Sequence, residues 1–153
     1  MSVQVILPAL SYYQLTIPGI LVAFPQNAAT PLPDSLADLP AFINFPGPTQ
    51  NNLFVDGADR WLETRRYRML LYLLGYGEGI EREGELVARP YFTSVPQKFA
   101  SIPSLGNIPG VQRVFPEADS GLTVLRYANT PYWGIEFTLR VEYHQRRIYA
   151  KGE

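Results

Sequence analysis

The sequence contains no cysteine and a single histidine, His144. The absence of cysteine excludes disulfide bonds, thiolate nucleophiles, iron–sulfur clusters and cysteine-liganded zinc. One histidine cannot form a multi-histidine metal site, and a serine–histidine–aspartate triad would have to use His144 itself. We interpret His144 as a solvent-facing residue at the end of a strand.

The chain also lacks an excess of charge of either sign. Thirteen basic residues stand against fourteen acidic residues, which gives a formal net charge of −1. This balance argues against a protein whose main task is to grip nucleic acid, so any contact with DNA should be incidental. No apolar run approaches the ~20 residues that span a bilayer, and the N-terminus has no basic segment typical of a signal peptide. We therefore expect a cytoplasmic product with no membrane partner.

The length of 153 residues predicts a single domain, residues 1–153, because each half would bury too little surface to fold alone. Two segments are rich in turn-forming residues and are predicted as loops. Residues 25–40 contain four prolines, and residues 48–62 are largely polar and include Asp56-Gly57.

Apolar spacing in the rest of the chain predicts helices and strands. One helix covers residues 3–15, and a second begins among the glutamates of residues 78–85 and breaks near Pro96. The strands cover residues 20–24, 41–45, 63–74, 111–118, 122–128 and 134–143, with a hairpin turn at residues 129–131. The sequence therefore predicts an α+β fold: a mixed, mainly antiparallel sheet with about two helices packed on one face.

A short motif occurs twice in the chain. Residues 17–25 read IPGILVAFP and residues 108–116 read IPGVQRVFP, with five identities in nine positions. In both copies proline fixes φ and glycine permits an unusual dihedral angle where a helix leads into a strand. So short a match fits either an internal duplication or two similar corners.

The segment Gly75–Gly79 lies between a predicted strand and a predicted helix, where a phosphate-binding loop would lie. Its spacing matches neither a dinucleotide-binding motif nor a Walker motif, and the nearby glutamates would repel a phosphate. We therefore favour a flexible connector for this segment. A small nucleotide-binding enzyme is the less favoured alternative. Ser120 has no nucleophile motif around it, and Asp56 with Asp59 is too sparse for a calcium loop. We predict no enzyme activity, no cofactor, and no catalytic or metal-binding residue.

Arginines and exposed-looking aromatic residues supply the candidate contact residues. Short basic runs are typical of solvated strand faces or of ion pairs between subunits, and a nucleic-acid-binding module is a further alternative. Large aromatic side chains often anchor protein interfaces. The candidate subunit-interface residues are Phe54, Trp61, Arg65, Arg66, Arg68, Tyr76, Tyr132 and Trp133.

Several short motifs that are typical of turns and strand starts follow one another along most of the chain. They are Ile17-Pro18-Gly19, Leu39-Pro40-Ala41 before Phe45-Pro46-Gly47, the arginine-rich strand, Ile108-Pro109-Gly110, Asp119-Ser120-Gly121, and Tyr132-Trp133-Gly134-Ile135-Glu136-Phe137. This order resembles the tail terminator proteins of long-tailed, non-contractile bacteriophages. The motifs are corners of the fold rather than chemical signatures, so the resemblance carries over no active site.

The resemblance implies a subunit of a ring, typically with six members, that caps the tail tube and stops its polymerisation. The ring would lie at the head-proximal end of the tail in the virion, after assembly in the host cytoplasm. Its partners would be further copies of itself, the tail tube protein and a head–tail connector protein, with DNA passing through the lumen only as cargo. The alternative within the same class is another head–tail connector or minor tail protein.

Overall fold

The computed structural model describes residues 2–53, 60–78 and 81–146. Its elements in chain order are α1 (Ser2–Gln14), β1 (Val22–Phe24), β2 (Ala41–Leu53), β3 (Arg60–Gly75), a 3-10 turn (Tyr76–Glu78), α2 (Glu81–Ala88), α3 (Tyr91–Ala100), β4 (Val111–Asp119), β5 (Thr123–Tyr127) and β6 (Thr130–Arg146). Helices are combined with a mainly antiparallel sheet, so the predicted α+β class is confirmed. None of the described helices has the length and apolarity needed to span a bilayer.

The strands form one six-stranded sheet in the order β1-β2-β3-β6-β4. β5 pairs with the first residues of β6, and β4 pairs with its middle, so both lie on the same side of β6. β1 and β2 are parallel, and the other pairings are antiparallel. The sheet is therefore mixed and mainly antiparallel, as predicted.

The main core lies between the sheet and the helices, which contribute Ile6 and Leu10 from α1, Ala88 from α2, and Val95 and Phe99 from α3. The strands alternate as predicted. On β3 and β6 the residues facing this core are Tyr67, Met69, Leu71, Leu73, Ile135, Phe137, Leu139 and Val141. The helices cover one face of the sheet, and their apolar side chains seal it from water.

A second, smaller core lies on the opposite face of the sheet. Ile43, Leu70 and Tyr72 form it with Leu125 and Tyr132. Leucines of the proline-rich segment 25–40 pack over these residues, and the segment contains no helix or strand. The predicted loop at residues 25–40 therefore covers part of the sheet face that lies opposite the helices.

The predicted loop at 48–62 is wrong for the residues that the structure describes, because β2 continues to Leu53 and β3 begins at Arg60. Phe54 to Asp59 lie outside the described residues. Pro46 and Pro48 do not stop β2, since β1 pairs only with Ala41 to Ile43 and leaves the outer side of β2 open beyond that point. A proline whose nitrogen faces the open edge removes no ladder hydrogen bond, and the register shifts between Pro46 and Thr49.

The predicted break near Pro96 is also wrong, because the helical segment divides at Arg89-Pro90. A residue before proline is disfavoured in helical geometry, which ends α2, while Pro90 itself has φ −61° and ψ −30° and is suited to start α3. Pro96 remains inside α3, as Pro8 remains inside α1. The hairpin turn is formed by Ala128 and Asn129, one residue before the predicted position, with Thr130 already in β6.

The repeated motif forms two similar corners. Gly19 and Gly110 have φ of +94° and +93°, and the amides of Ile20 and Val111 donate to the carbonyl oxygens three residues earlier, at 3.3 and 3.1 Å. Proline followed by a glycine of positive φ inside such a hydrogen bond is the signature of a type II turn. The expected role of proline and glycine is confirmed, and the corners lead into β1 and β4, the two ends of the strand order.

Candidate interaction surfaces

The predicted interface aromatics do not form one surface. Tyr132 is 7% exposed and its ring centroid lies 5.4 Å from that of Tyr72, so it belongs to the second core and is not a surface residue. Phe54 lies outside the described residues. The backbone of Trp61 pairs with Leu53 on one side and Gln145 on the other. We therefore remove Tyr132 from the candidate interface.

Tyr76 and Trp133 are brought together at the end of the sheet where β3 finishes. Their ring centroids are 5.0 Å apart, and Tyr76 is 48% exposed. Trp133 also packs against the backbone of α2, where a Cβ added to Gly84 would lie 3.2 Å from its Cγ. The 3-10 turn within Gly75–Gly79 therefore places an aromatic side chain against β6, and Gly79 lies outside the described residues.

The candidate arginines are paired within the chain. Arg65 donates to the carbonyl oxygen of Gly47 at 2.9 Å and to the carboxylate of Glu63 at 3.3 Å. Arg68 forms a two-point contact with Glu136, at 3.1 and 3.0 Å. The contacts of Arg65 with Gly47 and of Arg68 with Glu136 join neighbouring strands, and Arg65 and Glu63 lie on the same strand. These arginines therefore do not form the uncompensated basic patch that nucleic-acid binding requires.

Glu117 connects three strands on the open part of the sheet. It accepts a hydrogen bond from Arg66 at 2.7 Å and lies 3.6 Å from the guanidinium of Arg140. The hydrogen bond from Arg66, and then the positive charges of both arginines, lower the pKa of Glu117 below its ordinary value. Arg140 also lies 5.1 Å from the ring centroid of Phe115, within the range of a cation–π contact. The face of the sheet opposite the helices therefore carries a solvated network of ion pairs.

The outer face of α1 is the surface that the sequence interpretation missed. Val5, Tyr12 and Leu15 are 48%, 66% and 44% exposed and lie on the side of the helix away from Ile6 and Leu10. The amide of Leu15 donates to the carbonyl of Ser11 at 3.1 Å, so the helical spacing continues one residue beyond Gln14. α1 is therefore apolar on two opposite sides, whereas a surface helix ordinarily has one polar side.

Charge also marks this part of the molecule. The sequence has no charged residue before Asp34 and no basic residue before Arg60. α1, β1 and β2 therefore contain no charged residue, while ion pairs join β3, β6 and β4 and a further pair joins Glu85 and Arg89 at α2. The absence of charge over the first 33 residues was the signal in the sequence that could have identified the α1 surface.

The chemical candidates have structural roles in the described part of the chain. The hydroxyl of Ser120 accepts from the amide of Glu136 at 3.0 Å, and the carboxylate of Asp119 accepts from the amide of Gly121 at 2.8 Å, which is ordinary turn chemistry. The amide of His144 donates to Gly110 at the second corner. Among the described residues no three histidine, aspartate or glutamate side chains are grouped as metal ligands.

No protein-family model matches the sequence, and a search of curated proteins finds no significant match. The resemblance to tail terminators accordingly rests on the order of the motifs alone.

Proposed function

We propose that this chain is a structural subunit of a phage tail, a tail terminator that forms a ring on the end of the tail tube. The ring stops polymerisation of the tube and offers the surface to which the head joins. Its partners are further copies of the same chain, the tail tube protein and a head–tail connector protein. DNA passes through the lumen as cargo.

The observation that supports this proposal best is the uncharged apolar outer face of α1. Val5, Tyr12 and Leu15 form an exposed apolar helix face, and covering it with another protein lowers the free energy because apolar surface is removed from water. Leu21, which is 58% exposed, is a further exposed apolar side chain in the uncharged N-terminal part of the chain. Such a surface is typical of a protein whose work is contact with other proteins.

A closed ring needs two different surfaces on two sides of each subunit, since every copy meets its neighbours head to tail. α1 packs on β1 and β2, at one end of the strand order, while β4 lies at the other end and carries charges. The two ends of the sheet therefore differ in chemistry, as a ring of this kind requires.

The test uses the purified chain and a tail tube protein that polymerises on its own. Light scattering during size exclusion measures the mass of the chain, and electron microscopy measures the length of tubes grown with and without it. We expect a discrete ring mass and shorter, capped tubes. A chain that is monomeric at high concentration and leaves tube length unchanged would contradict the proposal.

A matched pair of variants locates the surface. Tyr12→Lys places a cation in the α1 face and should weaken association by about tenfold or more, because the ammonium must lose its water. Gln26→Lys adds the same charge at an exposed position of segment 25–40 and should leave association unchanged. Equal behaviour of the two variants would remove α1 from the interface.

A further inference from the structure

A cavity of about 160 Å³ lies between α3 and the edge strand β4. Its apolar floor is formed by Met69, Val95 and Phe137, which are at most 4% exposed. Glu117, Ala118 and Asp119 of β4 also line it. The cavity therefore has an apolar base and a polar rim on the edge strand of the sheet.

Two local irregularities border this cavity. Pro96 lies inside α3, where its nitrogen has no hydrogen to donate to the carbonyl four residues earlier. On the other side, the pairing of β4 with β6 shifts register between Pro116 and Ala118. A bulge of this kind bends an edge strand and re-aims its side chains. Both prolines line the cavity, so the space is part of the local fold.

The cavity has the size and chemistry for one phenol ring. An apolar cavity of roughly 150 Å³ holds a benzene molecule. At the rim, Glu117 is already occupied by Arg66 and Arg140. Asp119 accepts one hydrogen bond, from Gly121, and its other carboxylate oxygen has no donor among the described residues. A hydroxyl group on the inserted ring would supply that donor.

The chain itself carries a suitable ring. Tyr12 is 66% exposed, the largest exposed fraction among the large hydrophobic side chains of the described residues. Its ring is held edge-on against Tyr13, with centroids 5.1 Å apart, which limits the conformational freedom lost on binding. α1 packs on β1, β2 and α3, whereas the cavity lies between α3 and β4, so Tyr12 and the cavity are at different ends of the strand order.

We propose that Tyr12 of one copy inserts into the α3–β4 cavity of the next copy, with its hydroxyl on Asp119. The proposal rests on the proposed function, because it specifies the contact that repeats around the ring. Val5 and Leu15 extend the contact along the seam between α3 and β4. A contact between two different surfaces closes into a ring, whereas a contact between equal surfaces stops at a dimer.

Mixing two inactive variants tests this contact. Tyr12→Arg removes the inserted ring and leaves the cavity, while Ala118→Arg blocks the cavity from its exposed rim and leaves Tyr12. Each variant alone should be monomeric on light scattering, with association weakened about thirtyfold, as for the loss of a central interface residue. An equimolar mixture should give dimers and nothing larger, because only one productive contact exists per pair.

Cross-linking gives a second, independent readout. The chain has no cysteine, so Leu15→Cys with Ala118→Cys introduces its only two thiols and leaves Tyr12 in place. A short bis-maleimide should then produce a ladder of covalent oligomers on a denaturing gel, while either single variant gives at most a dimer. Circular dichroism verifies that each variant is folded before it is scored.

The results separate this proposal from the proposed function. Suppose that the wild-type chain forms rings, that both arginine variants still form rings, and that cross-linking gives no ladder. These results would overturn the Tyr12 contact and leave the tail terminator assignment standing. A wild-type chain that is monomeric and does not cap tubes would overturn the assignment first. If Ala118→Arg abolishes the ring but Tyr12→Arg does not, another side chain fills the cavity and the Tyr12 contact is overturned.

Discussion

The side-chain amides of Gln14 and Asn44 face each other in the core and exchange two hydrogen bonds. Gln14 Nε2 donates to Asn44 Oδ1 at 2.6 Å, and Asn44 Nδ2 donates to Gln14 Oε1 at 2.8 Å. Asn44 Nδ2 also lies 2.9 Å from the carbonyl oxygen of Phe24 and 3.2 Å from the hydroxyl of Ser11. One buried amide thus connects α1, β1 and β2.

We expect Asn44→Leu to lower the free energy of unfolding by about 2–4 kcal/mol, because the amide of Gln14 and the carbonyl of Phe24 lose their partners inside the core. Gln14→Leu with Asn44→Leu should cost less than the sum of the single changes. Urea denaturation measures these values, and Asn51→Leu, an exposed site on the same strand, serves as the control. Strict additivity of the two buried changes would contradict the coupling.

The glycines of the two corners should not tolerate alanine. Gly19→Ala and Gly110→Ala each place a side chain at a φ above +90° and against a tyrosine ring, Tyr91 and Tyr143 respectively. We expect a loss of about 1–3 kcal/mol for each. Gly77→Ala, where a Cβ would meet no atom within 4 Å, should be close to neutral. Thermal unfolding provides the comparison.

Tyr91→Phe refines this prediction. The atom of Tyr91 nearest to a Cβ on Gly19 is its hydroxyl oxygen. Removing that oxygen should recover part of the stability lost in Gly19→Ala, while the strain of the positive φ remains. No recovery in the double variant would mean that backbone strain accounts for the whole loss.

The stability of the protein should fall in alkaline solution because of Tyr72. Burial, followed by the nearby Tyr127, raises the pKa of Tyr72 from 10.0 to about 12. The neutral phenol is therefore favoured in the folded state, and its stabilising contribution is complete below pH 10 and is lost as the pH rises to about 12. We expect a decrease of up to about 2 kcal/mol over this interval.

Tyr72→Phe is the control for that titration. It removes the ionisable group and a hydrogen bond to the carbonyl of Arg126 at 3.3 Å, so the variant should be somewhat less stable at neutral pH. Its stability should change less between pH 10 and about 12 than that of the wild type. Parallel pH profiles for the two proteins would show that Tyr72 does not titrate as described.

The carboxyl pKa of Glu117 reports the ion pairs on the open face. Arg66→Gln removes its hydrogen-bond donor and should raise this pKa towards the ordinary value, although Arg140 still lowers it. Because the pKa is depressed in the folded state, the stabilisation is present at neutral pH and is lost as the pH falls through the lowered value. NMR titration of the carboxyl group measures the shift. Arg68→Gln, which breaks only the contact with Glu136, should leave it unchanged.

The sheet could be predicted from the sequence because its long strands alternate strictly. Tyr67, Met69 and Leu71 face one side of β3 while Arg66 and Arg68 face the other, and β6 repeats this pattern. The course of β2 could not be predicted in the same way. Pro46 and Pro48 would stop an inner strand, and only the length of β1 decides that they lie on an open edge.

The candidate surface was predicted less well than the fold. Tyr132 and Trp133 are adjacent in sequence, yet alternation along β6 places Tyr132 in the second core and Trp133 against Tyr76. The arginines were identified as a group, but Glu117 and Glu136, the carboxylate partners of Arg66 and Arg68, come from distant parts of the chain. Burial and pairing of this kind depend on tertiary contacts that no local pattern specifies.

The edge strand β4 is poorly suited to pair with a strand of another molecule. It contains Pro116 and shifts register twice along its pairing with β6, and charged residues lie along its exposed length. A strand that is bent, charged and short of one amide donor is a poor template for another strand. Strand pairing between copies through β4 is therefore disfavoured, which guards this edge of the sheet against fibril growth.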